Sequence, residues 1–480
     1  MPILESSSCQ AFCYDERMDL EARQRVFQSF PRAIADSGAY VPASHWQETI
    51  AITPGAPLTG NQTCDVAIVG GGFTGLSVAY HLKRAKPDLD VVLIERGVVG
   101  HGASGRNGGF AMPLMGWDLL YTAQKLGDED ARTAYRLMYD AIEHLQRTVD
   151  EHRIDCDLEQ TGYLLLNTCA AAETRARKEV ETARRLGFDH QWLSGEALHQ
   201  HIRSDRFRSG VFDPHPCILN PAKLARGMKA VVENLGVRIY EQTPLERLTD
   251  KTPIRLDTPG ASLQATQVVL ALNGYGASLG FLEARVLPIH TYIVLTEPLD
   301  DAQLRASGWG PGRTSLETAR NFIHYFRLTV DNRILFGGED AQLYYGDTYR
   351  DQDSRIFDAL KARFREYFPA LAEVRFTHEW GGVLGVSLDM FPTFGVSGRH
   401  DSIFYAGAYS GHGVSLSNFA GAILAPQILQ AAGIPKTQAA ADLPFFYNRK
   451  PMWLSPDPLR YLGMQVYRHA LHAHDRWHQA

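Results

Sequence analysis

The chain alternates between two hydrophobic rhythms, and the switches between them outline its elements. "DVAIV" (Asp65–Val69) is a short apolar run rich in Val and Ile that ends on glycine, which predicts a buried strand. A helix is expected from about Thr74 to Lys83, and "DVVLIERG" (Asp90–Gly97) predicts the next strand. Together they make a βαβ unit of about 30 residues. "GWDLLYTAQKLGDEDARTAYRLMYDAIEHLQRTVDEH" then keeps helical spacing with few breakers. "TGYLLLNT" reads as a strand, "AAETRARKEVETARRLG" as a polar surface helix stopped by glycine, and "NPAKLARGMKAVVENLGVRIYEQ" as helix, glycine, strand. "QATQVVLALNGYG" is a buried strand ending in a turn, and Leu287 to Gly338 is strand-like. "SRIFDALKARFREYF" is a helix, and "SIFYAGAYSGHGVSLSNFAGAILAPQIL" is strand, Gly-rich turn, helix. Nucleotide-type βα segments thus stand at both ends, with mixed α and β between. The expected class is α/β (α+β overall), a doubly wound domain built from separated segments beside a mixed-sheet domain.

Length and composition narrow this. The 480 residues suggest two domains or one large composite, and 45% hydrophobic with 21% charged residues permits a substantial core. A net charge of −6 gives no reason to expect nucleic acid or an anionic membrane as partner. The six cysteines (9, 13, 64, 156, 169, 217) include no CxxC and no zinc spacing, so free thiols and no metal are expected. The N-terminus has acidic residues and no long apolar core, and no run nears ~18 apolar residues. A cytoplasmic protein without a membrane span is expected. Residues 1–61 read as an extension that ends in a Pro/Gly/Thr-rich linker, "TPGAPLTGNQ".

Gly70, Gly72 and Gly75 form GxGxxG between the first strand and its helix. The first glycine serves a tight turn, the second the approach of backbone to a pyrophosphate, the third helix–strand packing. The helix start offers free N–H groups to phosphates. Glu95 ends the next strand, where a carboxylate can accept from ribose hydroxyls. The fingerprint points to a dinucleotide without a 2′-phosphate and leaves NAD or FAD open. "VGHGASGRNGGF" (Val99–Phe110) has five glycines, which suits backbone passing close against a flat ligand.

These segments, with "HWQET", "VVLALNGYG", "LPIHTYIVLTEPL", "RLTVDNRILFGG", "WGGVLGVSLDMFPTFG" and "YAGAYSGHGVSLSNFAG", resemble the D-amino-acid-oxidase-like family of FAD oxidoreductases, and within it the gamma-glutamylputrescine oxidase branch. The likeness runs from about His45 to the end; residues 1–44 lie outside it. It implies an FAD domain from 62–113, 218–283 and 379–433, a substrate domain from 114–217 and 284–378 with a sheet over one flavin face, and a tail over 434–480. By similarity Gly70, Gly72, Phe73, Thr74, Gly75, Glu95 and Arg96 hold the ADP part. Gly102, Ala103, Ser104, Arg106, Asn107, Gly108 and Gly109 run along the pyrophosphate and isoalloxazine. Val237, Asn273 and Gly274 border the adenine side, and Gly382, Gly411, His412, Gly413 and Val414 meet the flavin. A helix start at "SGHGV" aimed at the flavin would favour negative charge there. No cysteine follows Cys217, and the histidine that links flavin in some relatives matches Asn107, with His101 nearby. The resemblance therefore implies non-covalent FAD.

The family moves a hydride equivalent from the carbon beside an amine to flavin N5. The imine then hydrolyses to an aldehyde or keto acid, and O2 usually becomes H2O2. Pocket candidates on the substrate-domain strands are His290, Tyr292, His324, Tyr325, Phe326, Arg327 and Trp380, together with Arg106. In alternating strands His290 and Tyr292 share a face, and His324 and Phe326 lie opposite Tyr325 and Arg327. Where the putrescine-type branch has an acidic residue in a stretch like "DYYRL", this chain has "HYFRL". That weakens a diamine-derived substrate; Arg106 and Arg327, if both face the pocket, suit an amine with an anionic tail. A 2-hydroxy-acid dehydrogenase and a flavin-binding partner protein without turnover remain as alternatives.

Overall fold

The computed structural model describes residues 19–21, 33–434 and 443–479; Cys9 and Cys13 fall outside them. The first strand, Gly60–Val69, pairs in parallel with Val91–Ile94 on one side and along its whole length with Ala261–Leu270 on the other. Arg238–Tyr240, Ile403–Gly407, Thr393–Ser397 and the hairpin partners Ile254–Thr258 and Arg247–Thr249 extend the sheet, and Asp19–Glu21 joins its edge. Its central strands are buried on both faces, which accounts for their continuous Val/Ile/Leu runs. Helices Phe73–Ala85, Pro221–Asn234 and Gly413–Ala431 cover one face, and residues such as Leu245, Leu256, Leu279 and Phe281 pack on the other.

The second sheet has eight strands in the order Phe376–Val386, Leu287–Thr296, Ile334–Gly338, His324–Leu328, Ser315–Thr318, Tyr163–Asn167, Ser209–Asp213, Gln191–Ser194. It is antiparallel except where Ser315–Thr318 meets Tyr163–Asn167. Strand Phe376–Val386 pairs with Leu287–Thr296 along its length, so the second sheet continues past the boundary expected at 379. Period-2 alternation divides its residues. His324, Phe326 and Phe336 face helix Ser354–Tyr367 in an aromatic core. Ile293, Leu295, Leu335 and Trp380 face the other way and close on Trp46 and Ala222.

The long helix expected after Gly116 is two, Leu119–Leu126 and Asp128–His152, broken at Gly127 (φ +87°). The linker before the first strand is held in place. The buried Glu241 carboxylate accepts from Gly55 N and Val99 N and pairs with Arg226. Within the expected tail, helix Leu459–Gln479 returns to the second unit, where Asp475 accepts from the Asn321 and Phe322 amides and Arg468 pairs with Asp340. Among the described residues no helix is long and apolar enough to cross a membrane, and Cys64, Cys156, Cys169 and Cys217 are free thiols.

Candidate active site

A cavity of about 440 Å³ opens at the carboxyl ends of the central strands, where open α/β sheets bind ligands. The glycine turn forms its floor. Gly70 has φ +111°, and a Cβ there would lie 2.6 Å from Ala271 O; a Cβ on Gly75 would lie 2.0 Å from Gly70 O. Neither position accepts a side chain. Helices Phe73–Ala85 and Gly413–Ala431 both start at this cavity, through Phe73 and Thr74 and through Gly413 and Val414. Their bodies are tied together by Ser77 Oγ donating to Asn418 O (2.7 Å), and Thr74 Oγ1 contacts Tyr409 Oη (2.7 Å) in the turn before the second helix. Two positive dipole ends therefore converge on one volume. Glu95 lies at the rim, accepting from Gly71 N (2.7 Å) and Gly97 N (2.8 Å). Burial raises its carboxyl pKa and the two amides restrain the rise. A carboxylate has about four acceptor sites, so ribose hydroxyls can be served as well.

The loop from Gly100 to Gly109 is almost free of regular structure, yet its carbonyls have partners from distant parts of the chain. Gln47 Nε2 donates to Gly100 O (3.0 Å) and His101 O (3.2 Å), and Ser44 Oγ to Gly105 O (2.6 Å). Trp46 Nε1 donates to Asn107 O (2.9 Å), and Trp380 Nε1 to Arg106 O (2.8 Å). Arg327, fully buried, donates to Leu219 O (2.8 Å), Gly109 O (3.0 Å) and Gly108 O (3.3 Å). Burial pulls its guanidinium down to about 9, still a cation at neutral pH. Ser104 Oγ accepts from Phe73 N (3.0 Å), which fastens the loop to the helix start.

At the end nearest the second sheet, Arg106 is the hub. It donates to Tyr349 Oη (2.5 Å), His101 O (2.9 Å), Asp351 (3.2 Å) and Gly381 O (3.4 Å), and lies 3.1 Å from His101 Nε2. Burial opposes its charge, but Tyr349, Tyr275 and Asp351 outweigh that and hold its pKa above the ordinary value. A guanidinium only donates, so His101 Nε2 accepts and Nδ1 carries the proton toward Tyr40 Oη (3.0 Å). Burial pulls His101 down to about 3, which keeps it neutral.

Of the residues expected from sequence, Gly70, Gly72, Phe73, Thr74, Glu95, Arg96, Gly102, Ala103, Ser104, Arg106, Asn107, Asn273, Gly411, Gly413 and Val414 line the cavity. Gly75 packs beneath it. Gly108 and Gly109 turn toward Tyr325 and Arg327, Gly274 packs on Leu384 O, and Gly382 lies over Arg106. Val237 is in the core; Gln242, Thr243 and Leu245 line the cavity instead. His412 precedes its helix with Nδ1 shielded and without a hydrogen-bond partner among the described residues. Arg106 is the one expected pocket residue that lines the cavity. His290 packs on Tyr344 and Tyr349, and Tyr292 Oη contacts Tyr344 Oη (2.6 Å). His324 bonds Glu339 (2.7 Å) and Tyr367 (3.0 Å), and Phe326 is in the aromatic core. Tyr325, Arg327 and Trp380 stand behind the loop. Sequence reasoning missed Tyr275, Tyr349 and Tyr409, as well as Ala33 and Ile34 of the extension, and named His101 only as a neighbour of Asn107. Only "HWQET" hinted that the extension takes part.

The pieces fit a flavin dinucleotide: a glycine turn that no Cβ could enter, a carboxylate beside that turn, and two helix starts facing one cavity. Glu95→Ala is expected to raise the FAD dissociation constant roughly 10–100-fold, the loss of charged hydrogen bonds worth about 1.5–3 kcal/mol. Fluorescence titration of apoprotein with FAD checks this; an unchanged constant would remove Glu95 from the site.

Comparison with known proteins agrees with this geometry. The family described as FAD dependent oxidoreductase (DAO) matches residues 65–427. Gamma-glutamylputrescine oxidoreductase of Escherichia coli (strain K12) is 31% identical over 392 residues, 80% of this chain and 87% of that one. Among solved structures, glycine oxidase from Geobacillus kaustophilus superposes with TM-score 0.66 at 20% identity, covering 79% of this chain and 100% of that one. L-proline dehydrogenase from P. horikoshii gives 0.65 at 18% identity, covering 79% and 96%. Fold, cavity and sequence agree that the chain belongs to the DAO family of FAD-dependent oxidoreductases.

Proposed function

We propose that this protein oxidises the C–N bond of a primary or secondary amine or an amino acid, using non-covalently bound FAD. The observation that carries the reading is the Arg106–His101–Tyr349–Asp351 cluster at the sheet end of a cavity built for a dinucleotide. The relatives named for acting on gamma-glutamylputrescine and, at 26% identity, glycine support the amine class. FAD bound in the cavity supplies the two-electron acceptor. The protein's part is placement. Leu384 and the loop line the cavity, Arg106, held by Gly381 O, orients the substrate, and neutral His101 adds no charge beside the amine. No dedicated acid or base is required. The imine leaves to hydrolyse in water, O2 takes up the electrons as H2O2, and the enzyme works in the cytoplasm. Non-covalent binding accords with Asn107, whose amide donates to Ala103 O and Ser104 O, and with the described cysteines, which lie outside the cavity lining.

An anionic substrate tail would be met by Arg106 through exchange with Asp351, its longer and partly exposed partner. Arg327 stands outside the cavity lining, with its Nη1 given to backbone carbonyls, and does not serve this role. Arg106→Met should raise KM for a carboxylate-bearing amine roughly 10–100-fold, the worth of a charge-assisted contact, and change KM for an uncharged amine much less. Equal changes for both would reject tail recognition by Arg106.

The direct test of the reaction is anaerobic titration of the holoprotein with amines, acidic amines and 2-hydroxy acids, followed by air. Bleaching of the flavin absorbance by an amine, with recovery in air, is expected. Bleaching by a hydroxy acid alone would move the protein to the hydroxy-acid dehydrogenases. No bleaching by either would favour a flavin-binding partner without turnover.

A further inference from the structure

The extension carries a second cluster away from the redox cavity. The one-turn helix His45–Glu48 has one side given to the cofactor loop, through Ser44, Trp46 and Gln47. His45 and Glu48, three residues apart, share the remaining side. There they meet His378 on strand Phe376–Val386, an edge of the second sheet. His378 Nε2 is 3.0 Å from Glu48 Oε2, the two imidazole centroids are 4.7 Å apart, and one donor atom from each of the three residues lies within 4.8 Å of the others.

We propose that His45, Glu48 and His378 form a divalent transition-metal site, suited to Zn²⁺, that clamps the N-terminal segment to the second sheet. The donor set of two imidazoles and one carboxylate is the kind zinc takes, with water completing the tetrahedron. Two further observations point to a ligand. His45 is 9% exposed, and its Nδ1 is shielded with no hydrogen-bond partner among the described residues, which is costly unless something binds it. His378 Nδ1 lies 2.8 Å from Thr377 Oγ1, the outer partner that orients a ligating histidine. The neighbouring Arg333 is paired with Asp331 (2.6 Å), which offsets part of its charge. Glu48, half exposed, has room to move the short distance that closing on an ion requires. The clamp would tie together the two parts of the chain that supply Trp46 and Trp380 to the loop.

The test is calorimetric titration of chelator-treated holoprotein with Zn²⁺. The expected result is one ion per chain with a Kd near or below about 1 µM, and a rise in Tm with the ion bound. His378→Ala should weaken binding at least about 100-fold, and Glu48→Gln, which keeps a polar side chain, about 10-fold; both should retain flavin. A His469→Ala/His474→Ala variant, altering exposed histidines of the last helix, should bind as wild type. No binding, or the same affinity and stoichiometry in His378→Ala, would overturn the proposal and leave a surface histidine–carboxylate pair. Loss of the ion in the His469→Ala/His474→Ala variant would likewise overturn it.

Discussion

Backbone that is neither helix nor strand must still have its buried carbonyls satisfied, and in this protein that requirement falls on residues 100–109. The loop lies between the nucleotide sheet and the second sheet, where water cannot serve it freely. Two indole N–H groups, one buried guanidinium, a serine and a glutamine supply the donors. Arg327 stacks its guanidinium over Trp46 (5.2 Å) while serving three carbonyls. These donors come from the N-terminal segment, from strand His324–Leu328 and from strand Phe376–Val386. Satisfying one loop thereby joins three parts of the chain.

The cavity is a consequence. With its carbonyls held from behind, the loop presents Gly102 to Ser104, Arg106 and Asn107 to the cavity. Ser104 accepts from the first amide of the glycine-turn helix, so loop and turn are placed relative to each other. The same grip sets the electrostatics. Arg106 keeps its charge in a buried place because Tyr349 and Asp351 face it, and His101 is kept neutral beside it. Arg106 and Asp351 thus set a paired charge beside a neutral imidazole at one end of the cavity, into which two positive helix starts also open.

Much of this was legible in the residues. The glycine turn, Glu95 and the strand–turn–helix at Ile403–Ala431 follow from periodicity and glycine spacing, and they stand where that reading put them. Tyr349 was not legible, because it reaches the cavity from an irregular segment, and Tyr275 was not, because it lies in a short 3-10 turn, Asn273–Leu279, where no alternation rule says which way a side chain points. Arg327 could be placed on a face with Tyr325, but alternation alone cannot distinguish a face that meets substrate from one that meets the back of a loop. The break at Gly127 was hidden because one glycine inside a helical pattern is often tolerated. The His45–His378 pairing brings the N-terminal segment onto strand Phe376–Val386, a relation no spacing rule contains.

The most direct check on the loop as the organising constraint is the FAD dissociation constant of Arg327→Met. Removing the guanidinium takes the Arg327 donor from Leu219 O and Gly108 O, and leaves Gly109 O with Leu219 N alone; a buried carbonyl left without a partner costs about 1–3 kcal/mol. The account predicts FAD binding weakened by roughly 10-fold or more. Unchanged FAD affinity would contradict it and show that the loop holds its shape without that grip.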